Sequence, residues 1–181
     1  MTHLLIHALP VSPIAILRYS GGQAKQVSGR PTMSDNNRIV LSSDHAAIDL
    51  RRAIGAHLET LGWEVLDIGP TTPESTHYPA HGEAAARRVA SGECRFGIIL
   101  CGTGQGIMMT ANKVPGIRCG VCSDEFSARM IRAHNDANML SIGARVVGEG
   151  LALALAEAFV STDFEGGRHA MRVDMIKALE S

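Results

Sequence analysis

The sequence predicts an α/β protein with a three-layer α/β/α, Rossmann-like fold around a five-stranded parallel sheet. Short β-branched or apolar runs alternate with amphipathic stretches from Arg38 onward, which is typical of parallel sheets covered by helices. The run Phe96–Cys101 (FGIILC) is apolar throughout, as expected for a strand buried on both faces. Polar and glycine-rich segments follow several of these runs, where parallel sheets bind their ligands.

The individual elements are predicted from periodicity and from residues that start or stop helices. Apolar residues recur at helical spacing after Ala46 until Gly62, a helix stop, and Pro79 suits the first turn of a helix. The predicted strands are Arg38–Ser42, Trp63–Ile68, Phe96–Cys101, Ile117–Cys122 and Met139–Ile142. The predicted helices are Ala46–Leu61, Pro79–Ala90, Ile107–Lys113, Asp124–Ala133, Glu149–Val160 and Arg168–Leu179.

Composition excludes several classes of protein. With 181 residues, of which 45% are hydrophobic and 19% charged, the chain suits one globular domain rather than a disordered chain. No apolar run reaches the roughly 18 residues of a membrane span. The net charge of −1 and the aromatic content of 4% argue against nucleic-acid binding. We therefore expect neither nucleic acid nor membrane as a partner.

The first 33 residues are predicted to be a disordered extension. No Asp or Glu precedes Asp35, and Pro10 and Pro13 interrupt the early apolar run, which also lacks the basic start of a secretion signal. The folded domain is predicted to comprise residues 34–181, with Met33 as a possible natural start.

Four cysteines occur, Cys94, Cys101, Cys119 and Cys122. This number is too small for a disulfide scaffold of this length, so a reducing, cytoplasmic location is expected. The CxxC spacing of Cys119 and Cys122 would also suit a redox pair or half of a zinc site. However, residues three apart in a strand point to opposite faces, which favours two small buried side chains.

The segment Cys101–Gly106 (CGTGQG) is the most informative motif. Its three glycines let the backbone approach a ligand, and a helix is predicted to follow. The GK[ST] ending of a nucleotide-binding P-loop is absent. A thiol near a helix start can act as a base or nucleophile, whereas a thiol at a strand end is often buried and inert. The residues alone leave both interpretations open.

Three further segments could bind a ligand or serve only local structure. Asp44-His45 follows the first strand and could cap the next helix. His134-Asn135 ends a predicted helix, where both residue types are common. Arg168 and Arg172 follow Gly166-Gly167 on one helix face, which suits either a phosphate clamp or a solvated surface.

Taken together, the motifs SDH, CGTGxG, HNDAN, GARVVG and EGGRH resemble the type B ribose-5-phosphate isomerases of the ribose/galactose isomerase family, from about Arg38 to Ala178. The resemblance implies a five-stranded parallel sheet and no metal or nucleotide cofactor. It implies a homodimer or dimer of dimers with the site between subunits. It also implies interconversion of ribose 5-phosphate and ribulose 5-phosphate, a step of the pentose phosphate pathway, through a cis-enediolate. The alternatives are an isomerase of allose or galactose 6-phosphate and a non-catalytic sugar-phosphate-binding module.

The resemblance also implies the roles of individual residues. Cys101 matches the catalytic base, since no Glu follows the glycine loop as in members without this Cys, and His134 matches the residue that opens the sugar ring. The Thr103 hydroxyl is a further catalytic candidate because it can donate to the enediolate oxygen. Tyr78 borders the site. The substrate-binding positions implied are Asp44, His45, Gly102, Thr103, Gly104, Gln105, Gly106, Asn135, Arg145, Arg168 and Arg172.

Overall fold

The computed structural model describes residues 36–180, and they form one five-stranded sheet with helices on both faces. All neighbouring strands are parallel and their spatial order is β2-β1-β3-β5-β4. The predicted fold class is therefore confirmed. The strands are β1 Arg38–Ser43, β2 Glu64–Asp67, β3 Phe96–Cys101, β4 Cys119–Val121 and β5 Met139–Gly143. The predicted extension, residues 1–33, lies outside the described residues.

The strands and helices follow the predicted order, and several of their ends are shifted. The fourth strand begins at Cys119 rather than at the predicted Ile117, because the Ile117 amide still donates to the Val114 carbonyl within a turn. The helices are α1 Ile48–Thr60, α2 Tyr78–Ala90, α3 Gln105–Ala111, α4 Glu125–Asn135, α5 Glu149–Ser161 and α6 Arg168–Lys177; short 3-10 helices span His45–Ala47 and Ala178–Glu180. Among the described residues, none of the helices has the length and apolar character that crossing a bilayer requires.

The sheet separates two apolar cores, because successive side chains of a buried strand point to opposite faces. Ile98 and Leu100 of β3 pack with α1 and α5, whereas Ile99 packs with α2 and α3. Cys119 belongs to the second core and Cys122 to the first. All four thiols are free, and burial raises the pKa of Cys122 to about 11 and also raises that of Cys119. The interpretation of the CxxC pair as small buried side chains is confirmed.

At Cys119, the outer edge of β4 is covered by the amide side chain of Asn112. Asn112 Nδ2 donates to the Cys119 carbonyl at 2.9 Å, and the Cys119 amide donates back to Asn112 Oδ1 at 2.8 Å. These are the two bonds that a residue of a neighbouring strand would make, because the residues on either side of Cys119 face β5.

The order of the strands determines where a ligand can bind. The chain moves from β1 outward to β2 and then returns to the other side of β1 at β3, so the loops after β1 and β3 diverge and leave a crevice. Ser43 is in register with Leu100, and Cys101 with Gly143, so the three central strands end at the same level. The Asp44 amide then donates to the Leu100 carbonyl at 3.2 Å.

Arg51 of α1 joins this crevice to the neighbouring strand and is 1% exposed. Its guanidinium donates to Ser43 Oγ at 2.6 Å and to the Pro70 carbonyl at 2.8 Å, and its Nε lies 2.8 Å from Asp67 Oδ1. A buried cation is tolerated only where it is paired and hydrogen-bonded in this way. Arg51 thus holds the end of β1 against the loop after β2.

We predict that Arg51→Leu lowers the free energy of unfolding by about 2–3 kcal/mol, because it leaves buried acceptors without donors. Urea denaturation measures the change. The matched control is Arg52→Leu, whose guanidinium is exposed and whose loss should cost less than about 0.5 kcal/mol. Equal stability of the two variants would contradict the assigned role of Arg51.

Candidate functional site

Most of the predicted site residues meet at the carboxyl ends of β1, β3 and β5. We call this set the carboxyl-edge cluster and define it as Asp44, His45, the segment 101–106 and Arg145. The Arg145 amide donates to the Gly102 carbonyl at 2.9 Å, and its guanidinium lies close above Gly102. An open cleft of about 480 Å³ adjoins the cluster and is lined partly by His45, Arg52 and Ala144.

The glycine loop after β3 has a shape that only glycine allows at its centre. Gly104 has a φ of +78°, and a Cβ atom there would lie 2.9 Å from Val121 Cγ2 and 3.0 Å from the Ile142 carbonyl carbon. The Ser141 hydroxyl donates to the Gly104 carbonyl at 2.7 Å. The loop is therefore pressed onto β4 and β5, and it leaves the start of α3 facing the crevice.

The Cys101 sulfur has a hydrogen-bond donor in place. The Gly104 amide donates to Cys101 Sγ at 3.2 Å, and the residue is 5% exposed at the end of β3. A backbone donor aimed at sulfur stabilises negative charge on it. Cys94 lies before β3, and burial is the main cause that raises its pKa to about 11. Of these two thiols, only Cys101 belongs to the carboxyl-edge cluster.

Asp44 serves local structure, and His45 lines the cleft. Asp44 is 7% exposed and its Oδ1 accepts a hydrogen bond from the Ala46 amide at 2.9 Å, so it caps the 3-10 helix His45–Ala47 that precedes α1. His45 accepts the Thr76 amide on Nδ1 at 3.2 Å, which leaves its second nitrogen for another partner. Capping therefore coexists with the ligand-binding role that the resemblance implies.

Tyr78 lies against the far end of the glycine loop. A Cβ atom on Gly106 would lie 2.6 Å from Tyr78 Cζ, so the ring occupies the space beside this glycine. The position agrees with the expectation that Tyr78 borders the site. Three residues beside the cluster were not identified from sequence: Arg51, Thr76 and His81. Only the tertiary fold brings them to Asp44 and His45.

The remaining predicted residues form a second set near the amino ends of the strands, opposite the carboxyl-edge cluster. We call it the amino-edge cluster; it comprises the predicted His134, Asn135, Arg168 and Arg172, and the structure adds Glu165 and His169 to them. Helix α4 ends at Asn135, whose carbonyl accepts a hydrogen bond from Arg118, the residue before β4 begins. The Glu165 amide donates to the Ala133 carbonyl at 3.0 Å and brings the start of α6 beside this helix end.

His134 and His169 form a parallel ring pair beside a carboxylate. Their centroids are 4.2 Å apart with an interplanar angle of 2°, and Glu165 Oε2 lies 3.8 Å and 3.6 Å from the two Nε2 atoms. Burial, followed by the charges of His134 and Arg168, lowers the pKa of His169. His169 thus stays neutral near pH 7, and His134 is the more exposed of the two rings.

The same three side chains have the composition of a metal site, and their ligand atoms lie within 4.8 Å of one another. An imidazole binds a metal ion in its ring plane at about 2.1 Å. Two parallel planes separated by a stacking distance cannot both contain one ion. As the structure describes these side chains, they form a stacked ring pair beside a carboxylate and not the arrangement of a metal centre.

Within one chain the two clusters do not meet. Strand β5 runs from the amino edge at Met139 to the carboxyl edge at Gly143, which separates the clusters by about 13 Å at a rise of roughly 3.3 Å per residue. Arg145 consequently lies with Cys101, whereas Arg168 and Arg172 lie with His134. A single chain holds the two halves of the predicted site at opposite ends of its parallel strands.

The fold and the carboxyl-edge cluster define an α/β protein with a polar site at the switch point of an open parallel sheet. Residues 39–176 match the profile of the family described as Ribose/Galactose Isomerase. The chain is 46% identical over 143 residues to ribose-5-phosphate isomerase B of Escherichia coli, covering 79% of this chain and 96% of that protein.

Solved structures give the same result. Ribose-5-phosphate isomerase B of Clostridium thermocellum is 49% identical with a TM-score of 0.78, covering 79% of this chain and 97% of that one. The Mycoplasma genitalium enzyme, solved with bound ribulose-5-phosphate, is 34% identical with a TM-score of 0.76, covering 79% and 95%. The chain belongs to the ribose/galactose isomerase family and is, as predicted, an isomerase.

We predict that Gly104→Ala costs more stability and activity than Gly92→Ala. Both glycines have positive φ, at +78° and +80°, so both substitutions carry a strain of about 1–2 kcal/mol. Only at Gly104 would the new Cβ also collide with the end of β5, since nothing lies within 4 Å of a Cβ on Gly92. Denaturation curves and kcat/KM of the two variants measure the difference. Equal losses in both would mean that the loop does not depend on this contact.

Proposed function

We propose that this chain interconverts ribose 5-phosphate and ribulose 5-phosphate through a cis-enediolate, with Cys101 as the base. The observation that carries the proposal is the Cys101 sulfur at the end of β3, with the Gly104 amide directed at it and the glycine loop beside it. The relatives named ribose-5-phosphate isomerase B, and the solved relative with ribulose-5-phosphate bound, support the choice of substrate.

The proton transfer needs only one base that reaches two neighbouring carbons. In the open-chain aldose the Cys101 thiolate takes the proton from C2, the C–H electron pair becomes the C1=C2 bond of the enediolate, and the C1=O1 π pair moves onto O1. The same thiol returns the proton to C1, while the hydroxyl proton moves from O2 to O1 and O2 becomes the ketose carbonyl. The amides of Gly102, Thr103 and Gly106 and the Thr103 hydroxyl are the donors proposed for the charged oxygen. The Gly104 amide is directed at the sulfur, and the Gln105 amide donates to Thr103 Oγ1.

The sugar ring must open before this transfer. His134 suits this step because its ring is accessible and lies beside the Glu165 carboxylate, so it can give a proton to the ring oxygen and take one from the anomeric hydroxyl. Asp44 and His45 lie at the carboxyl edge and are proposed to hold sugar hydroxyls or phosphate oxygens. Asn135 is proposed to contribute its amide beside His134.

Phosphate binding is assigned to three arginines. Arg168 and Arg172 lie one turn apart at the start of α6, after two glycines with positive φ, and Arg145 lies at the carboxyl edge. Guanidinium groups bind phosphate oxygens at two points, which holds C1 and C2 of the sugar in a constant position relative to the base.

We propose further that the site is completed by a second copy of the chain, in a homodimer or a dimer of dimers. The support is the separation of the two clusters, which need to meet around one sugar phosphate. A groove of about 520 Å³ runs between the β4 edge and the end of α6. Beside it α6 and the following 3-10 helix expose apolar side chains that a partner would cover: Met171, Met175, Ile176 and Leu179.

Two narrower choices depend on the same site. The family includes galactose isomerases, so six-carbon sugar phosphates are the second candidate for the substrate. A coupled assay on ribose 5-phosphate, allose 6-phosphate and galactose 6-phosphate discriminates between them by kcat/KM. The cytosol is the proposed location, because all four thiols are free and buried, as in a reducing compartment.

We predict that Cys101→Ala lowers kcat by at least about a thousandfold while the Kd for ribose 5-phosphate changes little, because a thiol is the base but contributes few ground-state contacts. Stopped assays and calorimetry measure the two quantities. The control is Cys94→Ala, another buried thiol, which should keep kcat. Activity within about tenfold of the wild type would remove Cys101 from the base role and favour a binding module.

Mixing two inactive variants tests the shared site. After subunit exchange, Cys101→Ala and His134→Asn should recover about one quarter of wild-type activity, because half of the dimers are mixed and each has one intact site. Cys101→Ala with Asp44→Asn should recover none, since both changes lie at the same edge of one chain. Native mass spectrometry verifies that mixed dimers form. Recovery in the second mixture, or none in the first, would contradict a site shared in this way.

A further inference from the structure

A backbone donor selects one tautomer of the neutral His45 ring. Thr76 N lies 3.2 Å from His45 Nδ1, and a backbone amide can only donate. Nδ1 therefore carries no proton, and the neutral ring has its proton on Nε2. The cleft beside the carboxyl-edge cluster is lined by His45, so Nε2–H is the donor that this side chain has left for a ligand.

Thr76 is itself held by a second histidine. His81 Nε2 lies 2.9 Å from Thr76 Oγ1, and His81 is half-buried on α2. Burial is the main cause that lowers the pKa of His81, and the nearby Arg51 and His45 lower it further against the opposing effect of Asp44. The His81 ring is therefore neutral near pH 7 and remains a hydrogen-bond partner for the hydroxyl.

The segment before Thr76 needs such an anchor. Its start is held because Arg51 donates to the Pro70 carbonyl and Arg52 to the Thr71 carbonyl. Residues 72–75 are all exposed, so they provide no packing that would fix the Thr76 amide. The bond to His81 comes directly before α2 and holds the end of the segment over His45.

We propose that His81 and Thr76 are positioning residues, which hold His45 as the Nε2–H tautomer so that it presents one hydrogen-bond donor to the sugar phosphate. The proposal rests on the proposed function, because it places the substrate at the carboxyl-edge cluster. Neither His81 nor Thr76 touches the reacting carbons in this assignment. Their effect is on the orientation of a binding group, so it should appear in KM rather than in kcat.

The contact is tested first in the full-length wild type without substrate. Amide exchange followed by NMR should show the Thr76 amide exchanging at least about tenfold more slowly than those of residues 74 and 75. The ¹⁵N shifts of His45 should show an unprotonated Nδ1. In His81→Leu and in Thr76→Val the backbone amide of residue 76 should lose its protection against exchange. Exchange of the wild-type Thr76 amide as fast as its exposed neighbours would overturn the proposal.

The function of the contact is tested by kinetics on the same variants. His81→Leu and Thr76→Val should each raise KM about three- to tenfold, the effect of one neutral hydrogen bond, with kcat kept within about twofold. His81→Gln should restore KM, because its amide can reach the Thr76 hydroxyl. His57→Leu, on the far part of α1, is the matched control and should change neither constant.

The kinetic outcomes separate this proposal from the proposed function. Unchanged KM in both variants, despite a protected Thr76 amide in the wild type, would overturn the positioning role. Wild-type protein without isomerase activity on any sugar phosphate would overturn the proposed function instead. In that case the Kd for ribose 5-phosphate replaces KM in the same comparison, and the exchange data still decide whether the contact exists.

Discussion

The close contact between the glycine loop and the end of β5 is the constraint on which the site depends. A Cβ atom on Gly143 would lie 2.7 Å from the Thr103 carbonyl oxygen, and one on Gly104 would lie 3.0 Å from the Ile142 carbonyl carbon. Because the two backbones meet without side chains between them, the Gly104 amide reaches the Cys101 sulfur and the Arg145 amide reaches Gly102. One packing requirement thus places the thiol, its donor and a cation together.

The order and type of the elements could be predicted because hydrophobic periodicity reports burial directly. The run Phe96–Cys101 is apolar at every position, and β3 is buried at every position. The start of β4 was less predictable, since Ile117 is buried in a turn and contributes the same apolar signal as a strand residue. The strand order, which creates the crevice, follows from long-range pairing that no local pattern encodes.

The carboxyl-edge cluster was predictable in part because its residues directly follow strands. Arg51, Thr76 and His81 could not be predicted as part of it, because the same residue types occur on solvated helix faces and in buried hydrogen-bond networks. The separation of His134 from Cys101 also required the structure. The motifs name both residues, but only the antiparallel return of α4 along the sheet shows that one chain holds them at opposite edges.

The amide of Asn112 has a consequence for how copies of this chain can associate. Its two bonds use the outward-facing backbone donor and acceptor of Cys119, in the shortest strand of the sheet. An extended segment from another molecule cannot pair with Cys119 without displacing this amide. Continuous sheets across subunits are thereby disfavoured at this edge, and association through it must depend on side chains fitting into the groove beside α6. Such contacts select a particular partner geometry, whereas strand addition accepts almost any extended chain.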